Sequence, residues 1–129
     1  MIRLRYTPPL DLELEGTSLE LNTIGSLLAH LDSEQGHAEI ACNTAFEPAP
    51  YSVALARIVF DVADGPIIIS VSLNTMYLKG SATNFGILAT YFDFDRHSNA
   101  GEHRHFEHYD GAGHIGVRSV PLVIACSDE

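Results

Sequence analysis

Apolar and polar residues alternate near the start of the chain, and this alternation predicts a strand at 10–15. Leu12 and Leu14 are separated by acidic residues. These acidic residues are Asp11, Glu13 and Glu15. A period of two residues is typical of a strand with one buried face and one exposed face. Comparable apolar segments predict further strands at 2–7, 37–42, 54–62, 66–72, 75–79, 102–108 and 119–126.

Two segments with helical spacing lie between these strands. Thr17 and Glu20 have the spacing of a capping box, in which each side chain bonds to the backbone amide of the other residue. The apolar residues that follow at helical intervals are Leu21, Ile24, Leu28 and Leu31. A second stripe consists of Phe85, Leu88, Ala89 and Phe92. The pattern therefore predicts two helices, each placed after a strand that ends in glycine.

The order of these elements repeats after about 64 residues. Shifting the sequence by 64 places Leu12 on Met76 and Ile24 on Leu88. The shift predicts a tandem duplication of 1–64 and 65–129 within a single domain, with each half folded as ββαββ. The expected class is α+β, with a mostly antiparallel sheet and both helices on one face.

Composition and charge narrow the range of functions. The chain has 129 residues, of which 46% are hydrophobic, enough for a packed core. Its net charge is −10 with histidine neutral, and it has only seven Lys and Arg residues. Direct binding to nucleic acid is not expected, because phosphate contacts need basic side chains. No apolar run is long enough to cross a bilayer, so the sequence predicts a protein that does not enter membranes. We expect its two cysteines, Cys42 and Cys126, to be reduced thiols in the core, which predicts a cytoplasmic protein.

A histidine-rich segment at 101–114 is the sharpest local feature. On a strand, His103, His105 and Glu107 would share one side. Two histidines at this spacing, with a nearby carboxylate, are suitable ligands for a metal. The competing interpretation is a polar, solvent-facing strand. A metal-binding protein or a metal-dependent enzyme using these three residues is therefore the alternative hypothesis, and solvent exposure is the favoured account.

The other patterns of enzyme active sites are missing from the sequence. There is no G-x-S-x-G elbow, no glycine-rich phosphate loop and no C-x-x-C pair. The sequence therefore predicts neither catalytic residues nor a cofactor.

The second half, clearest over 67–124, resembles the immunity protein 32 family of bacterial polymorphic-toxin systems. Four segments carry the resemblance: Met76–Ser81, Phe85–Phe92, His103–Asp110 and Ser119–Ile124. The first half matches only through the repeat, with Ala38–Ala41 in place of the histidine segment. The resemblance implies a small α+β protein without catalytic activity that binds and neutralises a cognate toxin, by occlusion of its substrate site.

Two sets of residues are candidates for contact with such a partner. The first set matches the most distinctive segment of the family: His103, His105, Glu107, Tyr109, Asp110 and His114. The second set is the acidic edge of the first half: Asp11, Glu13, Glu15 and Glu20. Assembly as a homodimer through exposed sheet edges is a further alternative.

Overall fold

The computed structural model describes residues 1–95 and 100–127. Residues 96–99 and 128–129 lie outside the described residues, and these include the last two residues of the second predicted repeat. The strands are β1 (Arg3–Thr7), β2 (Asp11–Gly16), β3 (His37–Ala41), β4 (Val53–Ala54), β5 (Arg57–Val62), β6 (Ile68–Ser72), β7 (Thr75–Gly80), β8 (His103–Phe106) and β9 (Leu122–Cys126). The helices are α1 (Ser18–Ala29) and α2 (Ala82–Thr90). The predicted α+β class is confirmed.

The strands form two mostly antiparallel sheets, whereas the sequence pattern predicted a single sheet. The five-stranded sheet has the order β4-β1-β2-β9-β8, and the four-stranded sheet has the order β3-β5-β7-β6. Each sheet therefore combines a hairpin from one half with two later strands of the other half, and the five-stranded sheet also includes the short strand β4 beside β1. The two halves meet at parallel pairs, β2 with β9 and β5 with β7. A strand's own pattern of apolar residues indicates which face is buried but not which strand lies beside it, so this exchange was not predictable.

The registers of the two parallel pairs correspond to each other. Glu13 lies opposite Val123, and Val59 lies opposite Tyr77. Tyr77 follows Glu13 by 64 residues, and Val123 follows Val59 by 64. The helix N-caps, Thr17 and Ser81, have the same separation. This regularity is what the predicted repeat requires, but common origin of the halves stays a prediction.

Local sequence accounts for the elements of the first half. Leu12 and Leu14 are buried while Glu13 and Glu15 are partly exposed, as the alternation predicted. The capping box at the start of α1 is confirmed. The Glu20 amide donates to Thr17 Oγ1 at 3.2 Å, and the Thr17 amide donates to the Glu20 carboxylate at 3.0 Å. These bonds satisfy donors that a helix N-terminus otherwise leaves without partners.

One hydrophobic core joins the two halves. It contains leucines from β1 and β2, methionine and leucine from β7, and the inner residues of both helices. Helix α2 ends at Thr90, yet Phe92 and Phe94 beyond it are fully buried. The Asn22 side chain of α1 holds this segment, because it donates to Phe94 O at 2.7 Å and accepts from the Phe94 amide at 2.8 Å. The apolar pattern predicted burial of Phe92, but gave no sign that Asn22 fixes its path.

Candidate functional site

The histidine-rich strand β8 has two distinct faces. His103 and His105 are exposed, and their rings contact each other edge to face with centroids 5.2 Å apart. Phe106 is fully buried, and the Arg104 guanidinium lies 4.1 Å from the Phe94 ring centroid while donating to Thr90 O. The predicted alternation along this strand is therefore present, with the histidines on the outside.

Glu107 does not complete a three-ligand group with the two histidines. Strand β8 ends at Phe106, so Glu107 lies beyond the regular alternation that placed it beside His105 in the sequence analysis. Within residues 1–95 and 100–127, no three His, Cys, Asp or Glu side chains are close enough together to hold a metal ion. His103 and His105 are thus a pair of exposed rings in this part of the chain.

Glu13 and Glu15 of β2 are paired with arginines of β1, whereas Asp11 of the same strand lies opposite Thr7. The Arg5 guanidinium lies 2.9 Å from the Glu13 carboxylate and 3.1 Å from that of Glu15. Arg3 lies 3.8 Å from Glu15. The antiparallel register places Arg5 opposite Glu13 and Arg3 opposite Glu15, so each charge meets its opposite across the hairpin. This part of the predicted acidic edge is therefore a network of ion pairs. The alternating arginines at 3 and 5 were the signal in the sequence that could have revealed these ion pairs.

The segment 43–52 adds aromatic side chains to this network. The guanidinium carbons of Arg5 and Arg3 lie 4.9 and 5.4 Å from the centroid of the Phe46 ring. Burial raises the pKa of Tyr51, and the negative charges of Glu13 and Asp11 raise it further. Phe46 and Tyr51 therefore cover one side of the ion pairs, and neither was among the predicted site residues.

Strand pairing brings the two predicted surfaces onto one side of the five-stranded sheet. Directly paired residues in neighbouring strands point to the same face. One row across the sheet is Ala54, Arg5, Glu13, Val123 and His105. The next row is Arg3, Glu15, Ala125 and His103. We call the side chains of these two rows, without Ala54, the outer face. Only β9 separates β2 from β8, so the acidic and histidine strands are about 10 Å apart.

The remaining predicted contact residues lie elsewhere. His114 packs against Phe106 and Tyr109, with ring centroids 5.6 and 6.0 Å away, on the side of β8 opposite His105. Its carbonyl accepts from the Ile67 amide, next to the edge strand β6 of the four-stranded sheet. His114 Nε2 is buried and makes no hydrogen bond with any of the described residues. Tyr109 and Asp110 are exposed on the same segment. The structure therefore separates the loop 109–114 from His103 and His105.

Glu20 borders the outer face at one end. It lines a polar cleft of about 460 Å³ together with Arg3, Glu15 and Thr17. Its carboxylate caps α1, so its orientation is fixed by the helix rather than by β2. Glu20 and Glu15, predicted as members of one edge, thus line the same cleft but are positioned by different elements.

Both cysteines are buried thiols. Burial raises the pKa of Cys42 to about 11, so its sulfur stays protonated near neutral pH. A protonated thiol is a poor nucleophile and a poor metal ligand. Core packing accounts for this residue.

A second charged cluster lies on the outer side of the four-stranded sheet. His37 Nδ1 is 2.6 Å from the Asp61 carboxylate, and His37 Nε2 is 3.6 Å from Glu39. The hydrogen bond with Asp61, followed by the one with Glu39, raises the pKa of His37 above its ordinary value. Because the folded pKa is raised, this pairing stabilises the fold fully below about pH 6.5, and the stabilisation is lost as pH rises through the folded pKa.

Removing the Asp61 charge tests this assignment. In the Asp61→Asn variant we expect the pKa of His37 to fall towards its ordinary value, because its shortest charged contact is gone. Glu39→Gln is expected to lower it less, since that carboxylate is 3.6 Å away and also pairs with Arg57. Titration of the histidine ring signals by NMR measures both shifts. A pKa of His37 that is the same in the two variants and in the parent protein would contradict the pairing.

Comparison with protein-family models, with curated proteins and with solved structures finds no match to this chain. Neither helix in the described part of the chain is long and apolar enough to span a bilayer.

Proposed function

We propose that this chain is a binding protein whose partner docks on the outer face of the five-stranded sheet. The observation that carries the proposal is the pairing of β2, β9 and β8, which joins the acidic and histidine strands into one continuous surface. Following the resemblance to immunity proteins, the partner is a protein toxin, and docking blocks access to the toxin's substrate site.

The chemistry of the outer face suits recognition of a protein surface. The Arg5 and Glu13 side chains are held by each other, so little side-chain entropy is lost when a partner contacts them. His103 and His105 offer exposed aromatic rings with polar edges at the margin of the sheet. Val123 supplies a partly buried apolar contact between the two strands. The net charge of −10 favours fast association with a basic partner.

The size of the face indicates how far the contact extends. Four strands spaced by about 4.8 Å, with about five residues each at about 3.3 Å, cover about 300 Å². A stable protein interface buries about 800 Å² on each partner. The partner must therefore also contact the flanking segment 43–52, where Phe46 and Tyr51 lie, or the free edge of β8.

Reversing the character of the histidine pair tests the proposal. The double variant His103→Lys with His105→Lys should fold normally, because both side chains are exposed, and its two positive charges oppose a basic partner. We expect its affinity for the toxin encoded beside this gene to fall at least tenfold, about 1.4 kcal/mol, and its protection against that toxin to fall in parallel. Isothermal titration calorimetry and an assay of toxin activity are the measurements.

A matched control lies on the other sheet. Ser70→Lys with Ser72→Lys adds the same number of positive charges to exposed positions of β6 and should leave affinity unchanged. Equal affinities of the two double variants would remove the outer face from the proposal. If the parent protein does not bind the product of the neighbouring gene, that toxin is excluded as the partner.

A further inference from the structure

An apolar groove lies beside α1, away from the outer face. Its volume is about 430 Å³. The residues that line it are Ile2, Leu19, Glu20, Thr23, Ile24, Leu27 and Ile40. Leu19 is 73% exposed, which is unusual for a leucine on a helix with a well-packed inner face. Glu20 is the one charged side chain among these described lining residues.

Strand β3 forms one border of the groove. On its outer edge no described residue pairs with the backbone of Glu39 or Ala41, and pairing resumes only at Asn43, whose amide donates to Ile2 O. Strand β3 is at the end of its sheet and pairs with β5. The Cys42 amide donates to Ala56 O, and Gly36 O accepts from the Val62 amide, so the even-numbered residues direct their backbone groups towards β5. Because backbone groups alternate along an antiparallel strand, those of Glu39 and Ala41 point away from β5. An extended chain could bond to them as a further strand.

The second half shows that the fold does not require an open groove at this place. Ile40 of β3 lies opposite Ile58, and Phe106 of β8 lies opposite Leu122, which follows Ile58 by 64 residues. Phe106 is therefore the equivalent of Ile40 in the second half. Tyr91, directly after the end of α2, follows Leu27 of α1 by 64 residues. The Tyr91 and Phe106 rings pack edge to face with centroids 5.0 Å apart. Two aromatic rings thus occupy the place that smaller side chains leave open in the first half.

We propose that the groove and the edge of β3 together bind an extended segment of a basic partner protein. The segment adds a strand to β3 through the backbone groups of Glu39 and Ala41. Its alternate large apolar side chains enter the groove, as Phe106 and Tyr91 do in the second half. Its other side chains are Lys or Arg, because the chain has a net charge of −10 and these side chains lie on the same side of β3 as Glu39, whose carboxylate also pairs with Arg57.

Glu20 borders both the groove and the outer face, but the two surfaces share no other residue and no variant below changes Glu20, so the two proposals fail separately. The probe is a synthetic nine-residue peptide in which Lys alternates with Ile and Phe, labelled for fluorescence anisotropy. A peptide of the same composition without alternation is the control ligand. We expect the alternating peptide to bind at least tenfold more tightly, and to slow amide hydrogen exchange at Glu39 and Ala41.

A variant that fills the groove completes the test. Leu27→Tyr with Ile40→Phe introduces the aromatic pair of the second half, and we expect it to fold and to weaken peptide binding at least tenfold. Leu19→Gln, at an exposed position, should weaken binding without affecting folding, whereas Thr83→Gln, the equivalent change in α2, should not.

Several results would overturn the proposal. These are equal binding of the two peptides, binding without protection of Glu39 and Ala41, or undiminished binding by the filled variant. A concentration-dependent dimer in sedimentation that the filled variant abolishes would instead assign the groove to a second copy of this chain.

Discussion

Replacing Phe85 with alanine is expected to lower the free energy of unfolding by about 3–5 kcal/mol. Phe85 is fully buried and packs edge to face against Phe60, with ring centroids 6.1 Å apart. The contact joins α2 to β5, which come from different halves of the chain. Truncation removes the aromatic pair and leaves a cavity at this junction. Since domains of this size are stable by about 5–15 kcal/mol, the loss is a large fraction of the total.

Urea denaturation followed by circular dichroism measures this loss. Ile87→Ala, two residues further along the same helix, is the control, because Ile87 is 37% exposed and its truncation should cost less than about 1 kcal/mol. Similar losses for the two variants would contradict the placement of Phe85 in the core.

Gly80→Ala is expected to destabilise the protein by about 2 kcal/mol, and Gly16→Ala by much less. A Cβ at Gly80 would lie 2.9 Å from Ile67 Cα and 3.1 Å from Ile67 N. This backbone cannot easily retreat, because Ile67 is hydrogen-bonded on both sides, to His114 and Gly116. At Gly16 the close atom is Ile2 Cδ1, the flexible end of a side chain. Moving that side chain relieves the contact.

The two glycines form a matched pair, since both end the second strand of their half just before a helix N-cap. Alanine also reduces the entropy of the unfolded chain, which stabilises by about 0.4–1 kcal/mol where the backbone allows it. Gly16→Ala could therefore be nearly neutral. Thermal unfolding of the two variants compares them directly, and a larger loss at Gly16 than at Gly80 would be incompatible with these contacts.

The local sequence pattern predicted where helices and strands occur better than it predicted which strands pair with each other. The alternation of Leu12 and Leu14 predicted the face of β2, and the spacing of Thr17 and Glu20 predicted the helix start. Both are decided by residues close in sequence. The exchange of strands between two sheets depends on pairing between residues about 110 positions apart, such as Glu13 with Val123. No short-range pattern specifies such a pair.

The sequence predicted some features of the candidate site and not others. The orientation of His103 and His105 followed from the strand period, and the structure places them as expected. The separation of His114 from them followed from its packing on Phe106, which depends on the path of a long loop. The arginine partners of Glu13 and Glu15 were within reach of sequence reasoning, because a hairpin places the first strand opposite the second.

The most direct test of the outer face as the binding surface is an NMR footprint of the labelled protein with its partner. We predict that the side-chain signals of His105, Val123 and Glu13 change on binding. Those of Ser70 and Tyr77, on the outer side of the four-stranded sheet, should stay unchanged. Changes confined to Ser70 and Tyr77, with His105 and Val123 unaffected, would contradict the account.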